Sequence, residues 1–142
     1  MNIVSISKVN QDAAELFAEH DDYLIEFLGE DRKYYTRYSN NENLENIWVA
    51  YSENVPAGCI AYRKKADSVG EIKRLYVRSG YRGKRLSKEL IKTAQDYAKE
   101  KGCKTMFLDT RITLEPAVSI YRSCGYDIVF QQGLYIQMEK KI

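Results

Sequence analysis

The stretch YVRSGYRGKRLSKELI, residues 76 to 91, places Arg78, Arg82, Lys84, Arg85 and Lys88 around one short turn, with an apolar strand before it and an amphipathic helix after it. Where a strand runs through such a turn into a helix, the first backbone N–H groups of the helix lack partners. The helix dipole adds about half a positive charge beside them. Gly80 and Gly83 let the backbone approach a ligand without Cβ atoms in the way. The five cationic side chains can then supply charge for several phosphates. Neither the glycine, lysine and hydroxyl spacing of a P-loop nor a GxGxxG run is present, which removes the usual nucleotide assignments. On residue types alone, the cluster also reads as a solvated helix start.

Other chemistry is bounded by what the chain lacks. His20 is the only histidine, so neither a histidine triad nor a histidine metal cluster can be assembled, and its place on a helical stripe reads as packing. Cys59, Cys103 and Cys124 form no CxxC pair and lie in apolar strand or helix contexts, as inert reduced thiols do. No metal is expected.

The positioning elements follow from periodicity and punctuation. NIVSIS, from Asn2 to Ser7, alternates as a strand, and Asn10 or Asp12 can cap a helix with Ala13, Leu16, Phe17, His20 and Leu24 on one stripe. Glu30 to Asn46 is polar and reads as a short helix and a loop. A hairpin follows, with strands near 46–52 and 56–64 and its turn at Ser52-Glu53-Asn54, and then the strand VGEIKRLYV after Ala66-Asp67-Ser68. The helix after the basic turn carries Leu86, Leu90, Ile91, Ala94, Tyr97 and Ala98 on one face and stops at Lys101-Gly102. CKTMFLDT is a central strand. Pro116 opens a last helix with Ala117, Ile120, Tyr121 and Cys124 on its apolar face, Gly125 caps it, and YDIVFQQGLYIQMEKK closes as a strand pair. The order is β-α-α-β-β-β-α-β-α-β-β, an α/β fold.

At 142 residues, with 44% hydrophobic and 30% charged, the chain reads as one globular domain, residues 1–142. No apolar run approaches the ~20 residues of a membrane span, and MNIVSISKVNQDAAELF has no basic or apolar leader region. A cytoplasmic protein without membrane contact is expected. The net charge of +2 hides an asymmetry: ten acidic against four basic residues through residue 45, ten against eighteen after it. That suggests two ligands of opposite charge, or two solvated faces. Nucleic acid is disfavoured, because phosphate contacts want a continuous basic surface.

The blocks EIKRLYVRSGYRGKRLSKELI and MFLDTRITLEPAVSIYRSCGY, in that order and spacing, resemble the central and C-terminal motifs of the GNAT superfamily of acetyl-CoA-dependent N-acetyltransferases. The resemblance implies the GNAT-type acyl-CoA N-acyltransferase fold, with a mixed, mostly antiparallel central sheet flanked by helices. It implies transfer of acetyl from acetyl-CoA to a primary amine by direct attack in a ternary complex. By the same resemblance, Leu75, Tyr76 and Val77 would hold the pantetheine arm, and Arg82, Gly83, Lys84, Arg85, Leu86, Ser87 and Lys88 the pyrophosphate. The family loop reads Arg or Gln, two residues, Gly, one residue, then Gly or Ala. Arg82 matches, while Arg85 and Ser87 stand at the glycine positions, where an arginine is expected to take an ordinary φ.

Such a transfer needs a neutral amine, a stabilised oxyanion and a departing thiolate. An amine of pKa ~10.4 is neutral in about one molecule in 10³ at pH 7, so a base matters most, whereas a thiol of pKa ~8.5 leaves readily. By resemblance, Tyr121 aligns with the tyrosine that many members place near the coenzyme sulfur as general acid. By the same resemblance Glu71, on the strand before the loop, is the first choice of base, with Asp109 and the acids Glu26, Glu30 and Asp31 lesser candidates. The Val77 N–H would meet the oxyanion. The resemblance also implies an acceptor site in the first third, where Glu26, Glu30, Asp31 and Tyr34 sit in an acidic run that favours a cationic small molecule or peptide amine. A monomer or homodimer is expected. The second reading is a non-catalytic acyl-CoA-binding domain.

Overall fold

In the computed structural model, which describes residues 1–29, 41, 43–83 and 85–142, the chain runs β1 (Asn2–Ile6), α1 (Gln11–Leu28), β2 (Asn46–Ser52), β3 (Val55–Ala66) and β4 (Val69–Val77). A 3-10 turn at Ser79–Tyr81 leads to α2 (Leu86–Glu100), β5 (Thr105–Arg111), α3 (Glu115–Ser123), β6 (Asp127–Gln132) and β7 (Tyr135–Lys141). The short helix expected after Glu30 falls on residues outside those described; the other expected elements are present.

Period-two alternation sorts β2 and β3 onto two faces. Ile47, Val49, Cys59 and Ala61 pack under Ala13, Leu16 and Phe17 of α1. Trp48, Ile60, Tyr62 and Ile72 pack under Leu86, Leu90, Ile91, Ala94 and Ala98 of α2. Asn10 caps α1, its side chain accepting from the Ala13 N–H at 2.9 Å. The sheet has seven strands in the order β1-β2-β3-β4-β5-β7-β6, antiparallel except for the central β4–β5 pair.

Two irregularities in β4 shape everything that follows. Cys59 pairs with Tyr76 and Ala61 with Lys73, so Ile60 of β3 faces both Arg74 and Leu75, a β-bulge with Arg74 at φ 58°. The Cys59 thiol donates to the Arg74 carbonyl at 3.3 Å, giving the bulge one of its hydrogen bonds. Second, β4 and β5 pair only over Val69–Glu71 with Thr105–Phe107. From Ile72 onward the two strands diverge, and α1 and α3 stand on either side of the gap.

Gly58, opposite Val77, sits where β3 and β4 press together: a Cβ there would lie 2.8 Å from the Tyr76 carbonyl oxygen. That neighbour is backbone and cannot swing away. Gly58→Ala is therefore expected to lower stability by about 1–3 kcal/mol, read as a lower urea midpoint with an unchanged slope.

Candidate active site

The gap between β4 and β5 continues as one cleft along the molecule. Its deep end is lined by His20, Lys73, Asp109, Thr110 and Tyr121 over an apolar wall that includes Leu24, Ile72 and Leu114. Its middle is lined by Leu75, Tyr76, Val77 and Ala117, again with His20. Its outer end reaches Gly83, Arg85, Ser87 and Lys88 at the start of α2. Shared lining residues connect the three parts: His20, Tyr23, Leu75 and Ala117 join the deep end to the middle, and Val77, Arg82, Ser87, Pro116 and Ile120 join the middle to the outer end.

At the outer end the turn departs from expectation at one residue. Arg85 adopts φ 63° and ψ 10°, the left-handed conformation that a glycine would take, and caps α2 without a side-chain hydrogen bond. The ordinary φ expected for it is therefore wrong. The turn geometry is kept by forcing a non-glycine residue into it, at roughly 1–2 kcal/mol. Gly83, at φ 79°, supplies the other left-handed position. Leu86 buries its side chain in the core, so only its backbone is left for the cleft. Lys84 lies outside the described residues.

The basic cluster also divides. Arg78 points away from the turn and binds Glu19 of α1, with contacts from 2.5 to 3.2 Å, and donates to the Pro56 carbonyl at 2.9 Å. Arg82 donates from Nε to the Val77 carbonyl at 2.8 Å, its guanidinium 5.2 Å from the Tyr23 ring centroid. Arg85 and Lys88 remain exposed at the cleft's outer end.

The deep end is a charge chain. Lys73, buried, lies 3.8 Å from Glu71 and 3.7 Å from Asp109, and Arg63 donates to Glu71 at 2.8 Å. Burial depresses the Lys73 ammonium's pKa, with the two carboxylates opposing. Glu71 is 4% exposed, faces these cations and does not line the cleft. Asp109 does line it: Oδ2 accepts from the Tyr135 hydroxyl at 3.1 Å, while Oδ1, buried and 3.7 Å from the Lys73 ammonium, has no hydrogen-bond partner among the described residues. Burial, with Cys124 and Asp109 adding, pushes the Tyr121 hydroxyl's pKa well above the usual tyrosine value, and that hydroxyl has no hydrogen-bond partner among the described residues.

The acidic mouth is reduced. Glu19 is bound to Arg78 and Asp21 to Arg74. Glu26 lines a shallow recess with Tyr23, Phe27 and Arg82. Glu30, Asp31 and Tyr34 lie outside the described residues. His20, expected to pack, is half-buried in the cleft wall. The sequence carried no signal for that role, because a histidine on an apolar stripe has the same spacing in either setting. Cys59 is buried, its thiol pushed up to about 12 by desolvation.

Residues 10–126 match the profile of the acetyltransferase (GNAT) family. The chain belongs to that family. The fold agrees: PaiA N-acetyltransferase of Thermoplasma acidophilum, solved in complex with coenzyme A, superposes with a TM-score of 0.79 at 19% identity, covering 100% of both chains. A GNAT-family acetyltransferase of Staphylococcus aureus gives 0.74 at 18% identity, over 99% of each chain. Among curated proteins, N-acetyltransferase 14 of Xenopus tropicalis is 31% identical over 99 residues, 68% of this chain and 47% of its own length. N-alpha-acetyltransferase 30 of Saccharomyces cerevisiae is 28% identical over 66% of this chain and 58% of its own length. The chain thus spans about half the length of the curated relatives it matches. No helix among the described residues is long and apolar enough to cross a membrane.

Two outcomes test this geometry. Arg85→Gly removes the left-handed strain and should raise the unfolding midpoint, by up to about 1 kcal/mol after glycine's entropy is counted. The hydrogen bonds from Arg78, with its charge, hold the Glu19 carboxyl below the usual range against a smaller burial effect. A depressed folded pKa contributes stability above the unfolded value of about 4.3, lost as pH falls through the folded one. Glu19→Gln should therefore melt lower than wild type at pH 7. The difference should close as thermal unfolding is repeated at falling pH below about 4.

Proposed function

We propose that this GNAT-family chain transfers an acetyl group from acetyl-CoA to a primary amine by direct attack in a ternary complex. The observation that carries the reading is the continuity of the cleft. A cationic, left-handed helix start lies at one end, an opened strand edge in the middle, and a protonated Tyr121 beside Asp109 at the other. The coenzyme A complex of the PaiA neighbour, with the same fold, supports the choice of donor.

Backbone N–H groups in the first turn of α2, with Arg85 and Lys88, would hold the pyrophosphate; Lys84 belongs to the same proposed set. Leu75, Tyr76 and Val77, on the β4 edge that has left β5, would run alongside the pantetheine arm, the Val77 N–H meeting the oxyanion. Arg82 would act by tying the turn to Val77 and to the Tyr23 ring of α1. Tyr121, kept protonated by burial, would donate to the departing thiolate. For the base, the geometry favours Asp109 over Glu71, because Asp109 lines the cleft and Glu71 does not. Glu71 would act through Lys73, which it helps hold beside Asp109. Glu26, Glu30, Asp31 and Tyr34 would belong to the acceptor's approach rather than its seat. The protein would work in the cytoplasm, as a monomer or homodimer.

Calorimetry with acetyl-CoA, together with thiol release over a panel of amines, tests this. Binding and turnover are expected. Tyr121→Phe and Asp109→Asn should each lower turnover about 10²-fold with coenzyme affinity intact. Arg85→Ala should weaken affinity about tenfold, by loss of a charge-assisted contact. Binding without turnover on any amine would instead mark a non-catalytic acyl-CoA-binding domain.

A further inference from the structure

His20 stands where the two inner parts of the cleft meet, sharing one wall with Val77 and Ser87 and another with Lys73, Asp109 and Tyr121. Its Nδ1 lies 3.2 Å from Arg74 Nη1. A guanidinium donates and has no acceptor, so Nδ1 accepts and the ring proton is on Nε2. Arg74 is itself immobilised by Asp21, by the Asn41 side chain at 2.7 Å and by the Phe17 carbonyl at 3.4 Å. The charged and titratable groups around the ring are Tyr23 of α1, with Asp21 acting through Arg74, then Lys73, Arg74 and Tyr76 of β4, Asp109 of β5 and Tyr121 of α3, the Tyr76 ring 5.6 Å away. Burial, with the Arg74 and Lys73 charges, pushes the imidazole down to about 3, so the ring is neutral. Nε2 has no partner among the described residues.

We propose that the His20 Nε2–H donates a hydrogen bond to an oxygen of the acyl acceptor, which makes His20 specificity-determining for amines that carry a carbonyl or hydroxyl oxygen beside the nitrogen. The inference rests on the acetyl transfer proposed above. Charge cannot do the selecting here, because Lys73 is offset by Glu71 and Asp109 and Arg74 by Asp21. A fixed, neutral donor remains, and it recognises an oxygen lone pair without drawing in either a carboxylate or a second ammonium.

With one histidine in the chain, ¹⁵N-histidine labelling gives a single ring to observe. The expected spectrum is the Nε2–H tautomer, unchanged from about pH 5 to 8, the range in which an ordinary histidine titrates. Its Nε2–H signal should shift when alaninamide is added to the coenzyme A complex, and stay put with 2-aminobutane, which is similar in size but has no oxygen. In turnover with acetyl-CoA, wild type should prefer alaninamide, and about fivefold of that preference, the worth of one net hydrogen bond, should rest on His20. That preference should fall about fivefold in His20→Leu and return in His20→Gln, which keeps an N–H donor. Calorimetric affinity for acetyl-CoA should not change in either variant. An Nδ1–H tautomer, a ring titrating near pH ~6.5, or an equal loss on both amines in His20→Leu would overturn the proposal. Failure to bind acetyl-CoA would sink the transferase reading separately, and the tautomer and titration would still decide the state of His20.

Discussion

The Arg74 guanidinium, buried between β4 and α1, is the interaction on which the site depends. The bulge at Arg74 puts an L-residue at positive φ inside a strand, a conformation that costs roughly 1–2 kcal/mol and persists only when surroundings over-determine it. Asp21, Asn41, the Phe17 carbonyl and His20 surround the guanidinium, and its cation lies 4.9 Å from the Phe17 ring centroid. Removing the Asp21 carboxylate would take the opposite charge from a buried guanidinium, which is the costly direction for such a pair. The bulge, the angle of α1 and the orientation of His20 are thus fixed by one group.

From that clamp, β4 performs different tasks along its length. Its first residues pair with β5 and join the two halves of the sheet; its last residues leave β5 and present an edge to the cleft. Two acids of α1 serve this arrangement. Asp21 grips the bulge and Glu19 grips Arg78 just beyond the strand end, so the helix is pinned along one side of the opening. The asymmetry of charge between the first third and the remainder therefore has a partly structural use: two of the ten acids of the first third pair with Arg74 and Arg78.

The fold was legible because its signals are local. Asn10, the period-two runs of β2 and β3, the stripe of α2 and Pro116 each act within a few residues of themselves. The cleft's outer end was legible for the same reason, as glycines and cations cluster in one turn. The deep end was not. Glu71 and Asp109 are both acids on central strands, and only the divergence after Glu71, a property of two strands far apart in sequence, sends one to the cleft and the other to Arg63 and Lys73. Arg78 and Arg74 look in sequence like members of one basic run, yet their partners lie 59 and 53 positions away. Arg85 misled for another reason: steric preference forbids nothing outright, and the turn that leads into α2 takes φ 63° there with an arginine in place.

The two ends of the cleft differ in how their charges meet solvent. Arg85 and Lys88 stand exposed, whereas Lys73 and Arg74 have side chains only 4% and 2% exposed and sit against carboxylates. Mobile ions screen open charges over about 10 Å at 0.1 M and reach buried pairs far less. Raising ionic strength will therefore loosen whatever anion docks at the start of α2 while leaving the inner recess almost untouched, so salt alone separates the energetics of the two compartments.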